Sequence, residues 1–207
     1  VGSRMLKGRD YLEKFTQGAA LGAIKMVMIN VVKRKWIRFR IDIVNAFPQE
    51  DIEREIFMEL PRGPFDWREP GMDDPIALCR SNLYGTPAAP RTFTVAFHNH
   101  LVNSCQMKPG LMDNKVYSKG DETDGVQMAG YMDELFGGAS SLQRADWMIQ
   151  KVKERYPITV EFDFGTVLGF GTRVTEDNFL EFGTRKYAME IKDRFLKGES
   201  KPTKKTA

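Results

Sequence analysis

The sequence predicts an α+β domain, an antiparallel sheet backed by helices in the manner of ferredoxin-like folds, and three observations lead there. Leu21, Ile24, Met28 and Val31 recur at helical spacing, so residues 18–34 form an amphipathic helix. Residues 36–43 alternate instead, with Trp36, Arg38, Arg40 and Asp42 on one face and Ile37, Phe39, Ile41 and Ile43 on the other. Residues 125–136 (GVQMAGYMDELF) read as a β-hairpin turning at Met132-Asp133-Glu134.

The remaining elements follow in order. Residues 55–60 (EIFMEL) form a short strand ending at Pro61, residues 61–75 a Pro/Gly-rich loop, and residues 77–80 another strand. Residues 89–104 are helical, with Pro90 in the first turn and Phe93, Phe97 and Leu101 on one face. A strand at 115–119 precedes the hairpin, and a helix at 140–155 turns Leu142, Ala145, Met148, Ile149 and Val152 toward the core. Strands near 158–162, 167–174 and 179–182 lead to a last helix at 185–197. Residues 1–197 thus make one domain, and residues 198–207 (GESKPTKKTA from Gly198) a flexible basic tail.

A chain of 207 residues, 42% hydrophobic and 29% charged, suits one compact domain with a real core and excludes global disorder or a large multidomain enzyme. The longest apolar stretch, 18–32, is broken by Lys25 and Asn30, so no membrane span is expected, and no secretory leader is visible. Cys79 and Cys105 lack CxxC spacing, which excludes a zinc ribbon and points to a reducing intracellular compartment, cytoplasmic or nuclear. Charge is uneven: residues 1–40 hold ten basic residues against two acids, and residues 42–74 hold ten acids against three arginines. That division suits a protein with a polyanion on one wall and cations on another, or simply an unevenly charged solvated surface.

Two acidic positions stand out because their neighbours are apolar. Asp42 lies mid-strand, where a carboxylate is disfavoured unless something compensates it. Asp133 and Glu134 lie at the tip of an apolar hairpin. Carboxylates converging from a strand and a neighbouring turn can hold Mg²⁺, which takes oxygen ligands in octahedral array. The alternative is an Asp facing solvent on an edge strand and an ordinary acidic turn.

These residues sit in a longer frame. Residues 40–47 (RIDIVNAF) are similar to a D-V-K-T-A-F segment, residues 55–63 (EIFMELPRG) to E-I-Y-M-x-Q-P-x-G-F, and residues 83–91 (LYGTPAAPR) to L-Y-G-L-K-Q-A-P-R. Residues 131–134 (YMDE) fall where Y-V-D-D is expected, and Val167-Leu168-Gly169 with Lys186-Tyr187 resembles F-L-G and Q-x-K-Y. Five matches in order make the chain resemble the reverse transcriptase domain of copia-type LTR retrotransposons over roughly residues 36–195.

The resemblance implies a polymerase palm with part of the fingers, an RNA-directed DNA polymerase core within a Pol polyprotein. Its partners would be an RNA or DNA template with a DNA primer, a dNTP, and other polyprotein segments. Asp42, Asp133 and Glu134 become the catalytic carboxylates, holding two Mg²⁺ ions, or Mn²⁺ in their place, with the backbone carbonyl of Ile43 facing the metal. Phe47 takes the steric-gate position that excludes a 2′-hydroxyl, and Ala88 the place of a nucleotide-positioning Gln. Tyr131 and Met132 border the primer terminus, while Arg4, Lys7 and Arg9 match basic finger residues that meet phosphate. Two departures bear on activity: Glu134 is one methylene longer than the family's Asp, and Ala88 lacks the amide. Two readings follow, a polymerase core whose chemistry is degenerate or intact, and a catalytically inactive nucleic-acid-binding remnant.

Other motifs lead nowhere. His98 and His100 are two apart on a helix and point to different faces, which predicts surface histidines rather than an HNH metal site. Residues 168–171 (LGFG) lack the third glycine and the following helix of a dinucleotide loop. Gly137-Gly138 reads as the end of a strand.

Overall fold

The computed structural model describes residues 5–14, 16–60 and 76–195. Its elements run α1 (Leu21–Lys33), β1 (Ile37–Ile43), β2 (Asp51–Glu59), β3 (Ile76–Ser81), α2 (Ala89–Asn99), β4 (Lys108–Pro109), β5 (Val116–Lys119), β6 (Val126–Tyr131) and β7 (Glu134–Ala139). They continue with α3 (Leu142–Lys153), β8 (Ile158–Glu161), β9 (Thr166–Val167), β10 (Phe170–Val174), β11 (Leu180–Gly183) and α4 (Arg185–Phe195). The expected mixture of helices and antiparallel sheet is what forms. The loop expected at 61–75, residues 1–4 and the tail at 198–207 lie outside the described residues.

Alternation in β1 sorts its side chains as predicted: Phe39, Ile41 and Ile43 are buried, while Arg38, Arg40 and Asp42 on the opposite face are half-buried. The strand lies inside a six-stranded antiparallel sheet of order β4-β5-β6-β7-β1-β8, between β7 and β8. Asp42 is therefore on an interior strand, and the edge-strand alternative does not hold. β2 pairs with β3 in a separate hairpin, and β9, β10 and β11 form a small third sheet.

Each face of the large sheet is covered by different helices. Phe39, Ile41, Ile43, Met128 and Leu135 pack with Phe93 and Phe97 of α2 and with Ala145, Met148, Ile149 and Val152 of α3. On the other face Ile24, Val27, Met28 and Val31 of α1 pack with Trp36, Ala129 and Phe136. Leu142 departs from expectation: it is 55% exposed, because the cap at Ser141, whose side chain accepts the Arg144 N–H at 3.2 Å, places it on the outer side of the first turn.

Gly137 and Gly138 are interior to β7 rather than its end. A methyl at Gly138 would overlap the Val31 side chain of α1 and the Ile37 carbonyl, so glycine here lets helix and sheet approach closely. Gly138→Ala should therefore destabilise the domain by about 1–3 kcal/mol, the ordinary cost of overpacking. Urea denaturation checks it, and an unchanged midpoint would contradict this account of the helix–sheet contact.

The strand expected over 167–174 is a tight hairpin instead. Leu168 and Gly169 carry φ of 49° and 83°, the left-handed pair that a two-residue turn between β9 and β10 requires. Histidine placement also differs from the reading of surface residues. His100 is 5% exposed, with Nε2 2.9 Å from the Lys151 carbonyl, and His98 Nδ1 lies 2.9 Å from the Tyr117 hydroxyl. The apolar packing of α2 and its π-helical extension (His100–Ser104) buries His100 and half-buries His98, and each ring finds a hydrogen-bond partner.

Candidate active site

Residues 131–134 make a two-residue hairpin turn, with Tyr131 opposite Glu134 and only Met132 and Asp133 at the tip. Glu134 already belongs to β7, one residue earlier than the expected three-residue turn allows. Met132 takes φ of 53°, a conformation uncommon outside glycine, Asn and Asp. The β1–β7 register then sets Asp42 directly opposite Glu134, and the Ile43 N–H donates to the Asp133 carbonyl at 3.0 Å. Non-local strand pairing thus gathers Asp42, Asp133 and Glu134 at one end of two neighbouring strands.

The α1 helix covers the far end of this face, where Val31 meets Gly138, and Asp42 at the near end is only partly buried. A pocket of about 120 Å³ there is lined by Arg40, Asp42, Thr159 and Glu161. Asp42 is held above the ordinary carboxylate range, first by burial and then by the negative charge of Asp133 and of Glu161; Arg40 and a Thr159 hydrogen bond oppose the shift. Glu134 is also raised, by burial and by Asp42 and Asp133, against the charge and hydrogen bond of Arg40. Burial withdraws both carboxylates from water, and their like charges add to that cost, which Arg40 only partly compensates.

That imbalance has a sign in stability. A carboxyl whose folded pKa lies above its unfolded value binds protons more tightly in the native state, so its contribution falls as pH rises from the ordinary value through the raised one. Asp42→Asn is expected to raise the melting temperature at neutral pH, with the gain over wild type shrinking as pH approaches about 4, the unperturbed range. Thermal scans of both proteins across that interval check it; a gain that grows on acidification would contradict the assignment.

The fit of these residues to a divalent ion is mixed. The negative charge of Asp133 helps raise Asp42, so the two carboxylates feel each other, as ligands of one cation would. Glu134 does not offer itself in the same way, because its Oε1 is ion-paired with Arg40 Nη2. Among the described residues no group of three or more His, Cys, Asp or Glu side chains is arranged to hold a metal. Two of the three predicted acids suit a shared ion, and the third is engaged elsewhere.

The other predicted site residues are placed as follows. Ile43 is buried, and Tyr131 shares the Asp42 face of the sheet with its ring packed on Gly18, where an added Cβ would come within 2.5 Å. Met132 lines a small cleft with Gln17, Thr94, Phe97, Lys115 and Tyr117. Phe47, in a 3-10 turn (Phe47–Gln49), lies 4.8 Å from the Tyr84 ring and 6.1 Å from Phe93. Ala88 is buried at the N-terminus of α2, its carbonyl accepting the Thr92 N–H. Lys7 is exposed and paired with Glu13 at 3.2 Å, and Arg9 is paired with its neighbour Asp10; Arg4 lies outside the described residues.

Sequence reasoning missed Arg40, Thr159 and Glu161 as part of the site. The signal for Arg40 was present, since alternation already placed it on the face of Asp42. Thr159 and Glu161 come from β8, which neighbours β1 only through the sheet order.

An antiparallel sheet with helices on both faces and acids gathered across a strand and a hairpin tip defines a class of domains with a fold-built acidic site. This chain belongs to the reverse transcriptase (RNA-dependent DNA polymerase) family, whose model matches residues 1–196. It is similar to the retrovirus-related Pol polyprotein from transposon RE2 of Arabidopsis thaliana, 23% identical over 195 residues, 94% of this chain and 13% of that relative. The Pol polyprotein from transposon TNT 1-94 of Nicotiana tabacum is 25% identical over 135 residues, 65% of this chain and 10% of the relative. The chain therefore spans about 13% of the length of the Arabidopsis relatives. No solved structure matches it. Among the described residues no helix is long and apolar enough to cross a membrane.

Proposed function

We propose that this domain is the palm, with part of the fingers, of an RNA-directed DNA polymerase that works as one segment of a Pol polyprotein. The observation that carries the reading is the register that sets Asp42 against Glu134 and ties Ile43 to Asp133. Membership of the reverse transcriptase family supplies the chemistry, nucleotidyl transfer to a primer 3′-hydroxyl on an RNA or DNA template.

In this reading Asp42 and Asp133 hold Mg²⁺ or Mn²⁺, with the Ile43 carbonyl beside them and Glu134 as the third carboxylate when Arg40 releases it. Two divalent ions, when bound, supply charge that lowers the pKa of the primer hydroxyl and steadies the leaving pyrophosphate. Asp42 and Asp133 fix where that charge sits. Tyr131 and Met132, at the hairpin tip beside Asp133, border the primer terminus. Phe47, backed by Phe93, presents a ring against the sugar of a dNTP and excludes a 2′-hydroxyl by volume. Ala88 leaves the nucleotide without an amide partner, which lowers discrimination there. Basic residues of the N-terminal segment, Lys7 and Arg4 among them, meet template or triphosphate.

Primer extension on an RNA template with dNTPs and Mg²⁺ or Mn²⁺ tests this. Incorporation supports the polymerase. The second reading, a binding remnant, is favoured by the engagement of Glu134 with Arg40. It is supported by salt-sensitive binding to primer–template with no incorporation under either metal.

A further inference from the structure

Arg40 precedes Asp42 by two residues on β1, so both side chains leave the same face of the sheet. Its guanidinium is ion-paired with Glu134, and Nη1 reaches Glu161 Oε2 at 3.5 Å. The Arg40 and Glu134 side chains are only 22% and 20% exposed, so water screens this pair weakly. The geometry around it is built rather than incidental. The guanidinium lies 6.0 Å from the Phe136 ring centroid, and Gly165 leaves room beside it, since a Cβ there would sit 3.1 Å from Glu161 Oε2 and 3.7 Å from Arg40 Nη1. Arg40 also lines the pocket beside Asp42, together with Thr159 and Glu161. Its Nε is buried without an acceptor, so the cluster does not use the full donor set of the guanidinium.

We propose that Arg40 is a resident counter-cation of the acidic site: it holds Glu134 out of metal coordination, so that a divalent ion is received by Asp42 and Asp133 and gains Glu134 as a ligand only when Arg40 is drawn away. This rests on the reading above in which Asp42 and Asp133 bind a cation. The physical basis is competition. A guanidinium keeps its charge at any pH the protein survives, so Arg40 does not let Glu134 go by losing its own proton. A unit charge a few ångströms from a metal site both repels the ion and occupies a donor it needs, an effect of about tenfold or more in affinity.

The test is Mn²⁺ binding to the whole chain, followed by the electron paramagnetic resonance of free Mn²⁺, for wild type, Arg40→Gln, Arg40→Gln with Glu134→Gln, and Asp42→Asn. Arg40→Gln should bind about tenfold more tightly than wild type, and the second substitution should cancel the gain. Asp42→Asn should lose the binding. Equal or weaker binding by Arg40→Gln, with Asp42-dependent binding intact, overturns the counter-cation and leaves the cation reading standing. A gain that survives Glu134→Gln also overturns it, because the benefit would then be charge removal alone. No Asp42-dependent binding in any variant sinks both. Should Arg40→Gln fail to fold, Arg40→Met, which fills similar space without the charge, takes its place alone and with Glu134→Gln, and the same outcomes decide.

Discussion

Asp42→Asn is expected to abolish metal-dependent primer extension, by about 10³-fold or more, while leaving the protein folded. The substitution keeps the size and shape of the side chain, and its Thr159 hydrogen bond can persist, so the sheet has no reason to rearrange. What disappears is one of the three carboxylates gathered by the β1–β7 register, and with it the proposed means of placing a cation at the end of β1. Because the same change relieves the repulsion from Asp133, loss of activity should come with higher thermal stability at neutral pH. A destabilised variant would lose activity for a trivial reason; an inactive and more stable one assigns Asp42 to the site. Retained incorporation with Asn at this position would remove Asp42 from the mechanism.

The largest stability effect belongs to Phe93→Ala. Phe93 is fully buried on α2, with ring centroids 5.5 Å from Phe97, 5.8 Å from Tyr156 and 6.1 Å from Phe47. Truncation removes the aromatic contacts on three sides and leaves a cavity that the flanking rings cannot fill, at a cost of about 3–5 kcal/mol. In a domain of this size that lowers the melting temperature by roughly 6–20 °C, measurable by calorimetry. Phe47 leans on this ring, so the loss also loosens the residue proposed for sugar selection. Ribonucleotide incorporation relative to deoxynucleotide should rise in any Phe93→Ala protein that remains folded. A melting temperature within a degree or two of wild type would show that the aromatic cluster is not the keystone of this core.

Much of this architecture was legible in the chain because helical and strand periodicities are local. Leu21, Ile24, Met28 and Val31 announced α1, and the alternation through Phe39, Ile41 and Ile43 announced both β1 and which face Asp42 takes. Spacing was a poorer guide where backbone conformation intervened. Residues 167–174 alternate well enough for one strand, yet the left-handed pair at Leu168 and Gly169 folds them back. His98 and His100 were read as surface residues because polarity alone says nothing of the Lys151 carbonyl and Tyr117 hydroxyl that receive them.

The acids at positions 42, 133 and 134, and the face of β1 that carries the first of them, follow from residue type and period alone. Their meeting does not, because register between strands distant in sequence is set by which apolar faces pack and how the hairpin turns. The partner of Glu134 was decided at that level too. Arg40 and Glu134 meet because β1 and β7 are neighbours in the sheet, and a charge far away along the chain becomes a contact only when strand order brings it there.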